Sequence, residues 1–159
     1  IRRRAKYLLF DIEGGLSLLA HLGMSGTFTL VKEGSYTRRT HDHACFALDN
    51  GLLLIFHDPR RFGLILPVET AFSASHALLS KLGPEPLSVD FNPVYLEAAL
   101  SSRKSPVKVA LMDQELVVGV GNIYASESLF LAGVDPRIVS SKAAPHAGKI
   151  FDAICIVLN

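Results

Sequence analysis

The sequence predicts an α+β chain with its strands first and its helices after. Two observations carry this. Up to about residue 70, short runs of β-branched, aromatic and aliphatic residues alternate with glycine- and asparagine-marked turns. Beyond residue 70 the apolar residues recur at helical spacing, and prolines and glycines punctuate longer segments. Strands followed by helices in one chain point to a segregated α+β architecture with a boundary near residues 70–75. A hydrophobic fraction of 49% supplies a core, and a mean hydropathy of +0.32 excludes a disordered chain.

Six β-type runs are expected, at residues 5–12, 16–22, 27–31, 44–48, 52–57 and 63–68. The turns between them are Glu13-Gly14-Gly15, Gly23, Gly34-Ser35 and Asp49-Asn50-Gly51, the last a strong hairpin signal. Six close-spaced strands imply an antiparallel sandwich or barrel-like sheet. Helices are expected at 75–82, stopped by Gly83-Pro84, and at 93–100 with Pro93 in the favoured first position. Three more follow at 106–112, 122–131 and 144–158. Before the fourth helix Gly119 and Gly121 make a turn, and Asn122 is expected as its N-cap. Ile123, Ser126 and Phe130 then lie on or near one face. Such a turn suits a phosphate, and it equally suits an ordinary capped core helix.

Net charge is only +1, but it is unevenly placed. Up to Pro67 there are nine Lys/Arg against six Asp/Glu and four of the six histidines; from Val68 on the balance is seven against nine. A basic front half permits polyanion binding by one face. Cys45 and Cys155 form no CxxC pair, which argues against a structural zinc site or a disulfide framework within the chain and fits a reducing, intracellular setting. No apolar run approaches the ~20 residues of a membrane helix. The start at Ile1 and the stop inside the apolar pattern 150–158 read as cut ends, so a fragment is expected.

Several stretches could carry chemistry. Arg2, Arg4 and Lys6 share one face if the first strand is continuous, as a phosphate grip or as a solvated edge strand. In His21-Leu22-Gly23-Met24-Ser25-Gly26 the methionine sits between glycines, as an exposed wedge or as a core side chain. Asp58-Pro59-Arg60-Arg61-Phe62-Gly63 offers two guanidiniums beside an aromatic, to hold phosphate or stack on a base, unless Asp58 simply pairs with an arginine. His41-Asp42-His43 with His57 falls short of a metal site for want of ligands, and phosphate contact or turn hydrogen bonding is the better reading of His41. Arg103, Lys104 and Lys108 extend the basic surface or decorate a solvated loop.

Taken in order, Arg3-Arg4-Ala5-Lys6-Tyr7-Leu8-Leu9, the 21–26 loop, His41-Asp42-His43, the 58–63 loop, Leu82-Gly83-Pro84-Glu85-Pro86-Leu87 and residues 111–130 resemble the formamidopyrimidine-DNA glycosylase/endonuclease VIII family of base-excision repair enzymes. The similarity is to the formamidopyrimidine branch, which excises oxidised purines such as 8-oxoguanine. It implies a β-sandwich-like lobe over 1–70 and a helical lobe over 71–159 with a helix–two-turn–helix motif. It also implies a monomer acting on double-stranded DNA that carries oxidised purines or abasic sites, in the bacterial cytoplasm and away from membranes.

By that resemblance Met24, Arg60 and Phe62 are the wedge that fills the space of a flipped-out nucleotide. His41, Arg60 and Arg103 contact DNA; Lys6, His21 and Asn122 hold phosphates around the lesion; Lys108 lies near the damaged base. Lys6 is also the proton donor in β-elimination. The family's nucleophile is an N-terminal proline amine followed by a glutamate, and a C-terminal four-cysteine zinc finger completes the protein. Neither appears here, since residue 1 is Ile1. The resemblance therefore implies Zn2+ for an intact protein, no cofactor within this chain, and either glycosylase/AP lyase activity in the intact protein or DNA binding without catalysis in the chain as it stands. A ribosomal-type RNA-binding protein sharing only the helical hairpin would not need the 21–26 and 58–63 loops.

Overall fold

The computed structural model describes residues 1–159. The chain divides into two compact units, Ile1–Ala74 and Ser75–Asn159. The first holds seven strands: β1 (Arg2–Arg4), β2 (Tyr7–Ile12), β3 (Leu16–His21), β4 (Thr27–Lys32), β5 (Asp42–Ala47), β6 (Leu52–His57) and β7 (Leu64–Glu69). They form two antiparallel sheets, ordered β1-β2-β3-β7 and β4-β6-β5. Phe10 of β2 meets Phe28 of β4 edge-on at 5.1 Å, and Phe28 meets Phe56 of β6 at 5.2 Å, so aromatic rings join the sheets face to face. Leu9, Leu19, Ala20, Ile55 and Phe56 are buried within this unit. The result is a sandwich.

Seven strands replace the expected six because Arg2–Arg4, ahead of the expected 5–12 run, forms a strand of its own and that run starts at Tyr7. Ala5 is left-handed (φ 54) and buried, and it reverses the chain so that Arg4 pairs with Tyr7. Lys6 therefore sits on the turn and not on one strand face with Arg2 and Arg4. Arg2 is bound bidentately to Asp11 (Nε–Oδ2 2.9 Å, Nη2–Oδ1 2.8 Å), a cross-strand pair that fixes the β1–β2 register. The Asn50-Gly51 hairpin forms as expected, with Gly51 at φ 75. β5 starts two residues earlier than expected, through an irregularity at Asp42/Ala44, and His41 lies just outside it at φ 75. His41 and His43 thus do not share a strand face.

In the second unit the expected helix at 75–82 is absent. A 3-10 helix occupies Thr70–Ser75, and turns follow in which the His76 carbonyl accepts from Leu79 (2.8 Å) and Ser80 (2.9 Å). Eight residues closed by Gly83-Pro84 are too few to sustain a helix without strong packing, and the His76 ring accepts the Leu78 N–H that a helix would use. α1 (Pro93–Ser101) forms where Pro93 predicts it, capped by the Asn92 side chain accepting from Tyr95 N–H at 2.9 Å. α2 (Val107–Met112) and α3 (Asn122–Ala132) flank a tight loop. The expected 144–158 helix divides into α4 (Ser140–Ala143), a 3-10 turn at Ala144–His146 and α5 (Ala147–Leu158), because Pro145 lacks the N–H a continuous helix requires. Leu96, Leu100, Leu111, Val117, Leu129, Ile150 and Ile154 centre one continuous core.

Gly121, not Asn122, caps α3; Asn122 is its first helical residue and makes no side-chain cap bond. The buried face of α3 is Ala125, Ser128 and Leu129, while Ile123, Ser126 and Phe130 face outward. Gly133 closes the helix at φ 67, the left-handed cap that glycine adopts without strain.

Candidate nucleic-acid interface

Two loops at one end of the sandwich adjoin. The 22–26 loop leaves β3 and turns tightly, the Gly26 N–H donating to the Leu22 carbonyl (2.8 Å). The 58–63 loop joins β6 to β7. They touch backbone to backbone: a Cβ on Gly23 (φ +62) would stand 2.5 Å from the Phe62 carbonyl carbon. Met24 is 73% exposed and Phe62 56% exposed, so neither fills a core. The Arg60 guanidinium lies over the Phe62 ring at 4.7 Å, a cation–π contact that presents a flat, apolar and cationic surface.

Asp58 pairs with no arginine. Buried to 1% exposure, it accepts from the Ser25 hydroxyl (2.6 Å) and the Gly63 N–H (2.7 Å). The Ser25 hydroxyl and then the Gly63 amide hold its carboxyl below the ordinary carboxylate range, against burial.

Beside this lies a groove of about 310 Å³ lined by Arg3, Lys6, His21 and Leu22 among others. The exposed Lys6 amine and the His21 ring thus share one concave surface. His21 Nδ1 accepts the Gly23 N–H at 3.0 Å, which leaves Nε2 as the N–H that can donate to an anion. Burial first, and then the Lys6 cation, lower the His21 pKa, so the ring is neutral at neutral pH. Lys6 brings the charge and His21 the directional hydrogen bond.

His41 is exposed, and its carbonyl accepts the Asp58 N–H at 3.0 Å. Asp42 is 4% exposed and accepts from His57 Nδ1 (2.8 Å), Arg39 N–H (2.9 Å) and the Tyr36 hydroxyl (3.1 Å). Burial raises its pKa, but these donors outweigh it and the net shift is downward. The His41 ring stands 6.2 Å from both His43 and His57, and His43 Nε2 donates to the Asp58 carbonyl at 2.9 Å. His43 and His57 are spent on loop geometry, and His41 is left exposed. No group of three His, Cys, Asp or Glu side chains converges on a metal position. Cys45, exposed on β5, and Cys155, half-buried on α5 with its thiol 3.9 Å from the Pro86 carbonyl, belong to different units.

In the helical unit Arg103 donates to Asp113 (2.6 Å), and Lys108 lies half-exposed on the first turn of α2. Asn122 opens α3 with its side chain exposed and its carbonyl accepting from the Ser126 hydroxyl at 2.8 Å. Gln114 braces the turn before it: Nε2 donates to the carbonyls of Met112 and Val120 (both 3.1 Å), and Oε1 accepts the Gly119 N–H (2.9 Å). Gly119, at φ 81, supplies the reversal. Sequence reasoning missed Gln114, Ser25 and Asp42 as organising residues. A polar side chain just before a glycine-rich turn is a readable hint of the first; nothing local signals the other two.

Residues 1–65 match the formamidopyrimidine-DNA glycosylase N-terminal domain and residues 82–159 match the formamidopyrimidine-DNA glycosylase H2TH domain. The formamidopyrimidine-DNA glycosylase of Ruegeria pomeroyi is 51% identical over 144 residues, covering 86% of this chain and 51% of that protein. The chain thus spans about half the length of the curated relatives it matches. Among solved structures, the MutM (Fpg) protein from Thermus thermophilus superposes with a TM-score of 0.85 at 40% identity, over 99% of this chain and 57% of that one. The Lactococcus lactis formamidopyrimidine-DNA glycosylase, bound non-covalently to DNA containing an AP site, superposes with a TM-score of 0.91 at 32% identity, over 99% and 60%. Two domain matches in the order of the motifs, on a sandwich followed by a helical hairpin, agree on one assignment: the chain belongs to the formamidopyrimidine-DNA glycosylase family.

Proposed function

We propose that this chain is the DNA-gripping portion of a base-excision repair glycosylase that removes oxidised purines, 8-oxoguanine and formamidopyrimidines, and that the complete protein couples excision to AP lyase cleavage. The observation that carries this reading is the exposed Met24–Arg60–Phe62 surface on two adjoining loops. A folded protein leaves two large apolar side chains beside a stacked guanidinium in water at a cost, and a vacated base position in duplex DNA is what such a surface fills. The Lys6–His21 groove supports it, since an ammonium beside a neutral N–H donor suits one phosphate. Asn122 and the α3 N-terminus, with Arg103, Lys108 and His41, are the further DNA contacts, and the partner is double-stranded DNA bound by a monomer.

Lys6 has two roles in this proposal. Its ammonium holds a phosphate beside the lesion, and it donates a proton during β-elimination once an amine has attacked the sugar. Zinc enters no step carried by these residues.

Fluorescence anisotropy of the 159-residue chain on a duplex with one 8-oxoguanine tests the binding half. Affinity falls steeply with salt, and Lys6→Ala lowers the log–log salt slope by about one. Binding that is indifferent to salt would refute the reading. Sodium borohydride added to 8-oxoguanine DNA and the product of the complete reading frame tests the chemistry: a covalent adduct is expected, and its absence removes the lyase.

A further inference from the structure

We infer that Ser25 and Asp58 are positioning residues that lock the two wedge-bearing loops into a single unit, so that Met24 enters DNA together with Arg60 and Phe62 and not independently; this rests on the DNA-binding reading above. The Asp58 carboxylate divides its oxygens between the loops. Oδ1 takes the Ser25 hydroxyl of the Met24 loop at 2.6 Å, and Oδ2 takes the Gly63 N–H of its own loop at 2.7 Å. Ser25 Oγ in turn accepts the Arg60 N–H at 3.3 Å. The residues next to Met24, Arg60 and Phe62 are thus joined through one buried carboxylate.

Charge-assisted bonds to a carboxylate are about twice as strong as neutral ones, and in a buried position no water competes for them. Packing tightens the same joint. Gly23 lies against the Phe62 backbone, and a Cβ on Gly63 would stand 2.8 Å from the His21 carbonyl oxygen. The Asp58 carbonyl also accepts His43 Nε2–H (2.9 Å), which anchors the latch to β5. Neither Ser25 nor Asp58 needs to touch DNA. Their work is to fix the spacing of three side chains that must enter one vacated base position together, and a fixed spacing is settled before binding and not during it.

The free chain gives the first test. By 15N relaxation, Ser25→Ala increases the mobility of the 22–26 and 58–63 backbone together while β3 and β6 stay rigid, and Ser25→Thr restores both loops. Loosening confined to 22–26 overturns the latch. Asp58→Asn, which keeps an acceptor for Ser25 but offers Gly63 N–H an amide in place of a carboxylate, shifts the Gly63 amide proton upfield; an unmoved Gly63 proton also overturns it.

The second test uses a duplex with a tetrahydrofuran abasic analogue facing 2-aminopurine, at protein concentrations that saturate it. Ser25→Ala reduces the insertion-dependent fluorescence change about threefold or more, the population change expected on losing one ordinary hydrogen bond, and Ser25→Thr recovers it. Coupled loops with an unchanged fluorescence response overturn the positioning role. Failure of the unaltered chain to bind the duplex overturns the DNA reading itself, which the relaxation result distinguishes.

Discussion

The two units are held together by different physics. The helical unit is organised by one dry cluster, in which Leu100, Val107, Leu111, Val117, Leu129 and Ile150 are almost wholly excluded from water. Its polar side chains work at the edges, as Asn92 does at the start of α1 and Gln114 in the hairpin. The sheet unit has a smaller apolar interior and buries two carboxylates, Asp42 and Asp58, at its loop end. Apolar packing gives the helices a scaffold insensitive to pH, whereas hydrogen-bonded carboxylates give the loops a defined shape that depends on their remaining ionised. The loops that expose Met24 and Phe62 are the ones fixed by charge.

Truncating the cores tests this contrast most severely. Leu111→Ala costs about 2–5 kcal/mol, the range for a fully buried leucine, and amide exchange should show the loss in α3 and α5. Leu19→Ala, equally buried in β3, should spare those helices and expose β2 and β7. If Leu111→Ala loosened both units alike, the division would fail. Gly23→Ala comes next, at about 1–3 kcal/mol, because it combines a left-handed residue with a Cβ driven into the Phe62 backbone. The loss should register in thermal melting of the sheet unit, and an unchanged melt would show that the loops do not press together. Removing the α1 cap with Asn92→Ala costs the helical unit about 1 kcal/mol, measurable by urea titration.

The smallest effect near neutrality is that of pH. The His21 pKa is depressed in the fold, so its contribution is complete above the ordinary value of 6.5 and is lost as pH falls through the lowered value. Protonation places a hydrogen on Nδ1, where the Gly23 N–H now donates. As pH falls below the ordinary value and through the lowered one, the Gly23 amide resonance should therefore move while the α1 and α5 amides hold still. Further down, Asp42 and Asp58 have lowered pKa values, so their contributions are present above the ordinary 3.8 and vanish as pH falls toward the folded values. In the helical unit the lowered carboxylates are the half-buried Asp113, paired with Arg103, and Asp135, which Arg137 holds down to about 2. Acid should melt the sheet unit's loops before the helical core, and the reverse order would break the comparison.

Most of the architecture was legible because it rests on local patterns. β6 coincides with its expected run because Leu53 and Ile55 alternate inward on a central strand, and α1 starts where Pro93 predicts. The misreadings share a cause. Whether residues 75–82 wind into a helix, or where the arginine-rich first strand reverses, depends on packing and on a left-handed Ala5 that no propensity favours. Among the candidate site residues, Met24, which its sequence left open between an exposed and a core position, is exposed, as is Phe62 on its turn. That the Asp58 carboxylate takes the Ser25 hydroxyl, and not the guanidinium of either neighbouring arginine, is a contact across 33 positions that sequence spacing does not encode.

The distribution of the two thiols has a practical consequence. Each unit carries one: Cys45 exposed on β5, Cys155 half-buried on α5, with its pKa pushed up by burial and then by Asp152. Maleimide chemistry should therefore modify Cys45 first and Cys155 later. A donor dye and then an acceptor dye could be attached in sequence without introducing any mutation. The unaltered polypeptide thus carries its own pair of reporters, one in each unit.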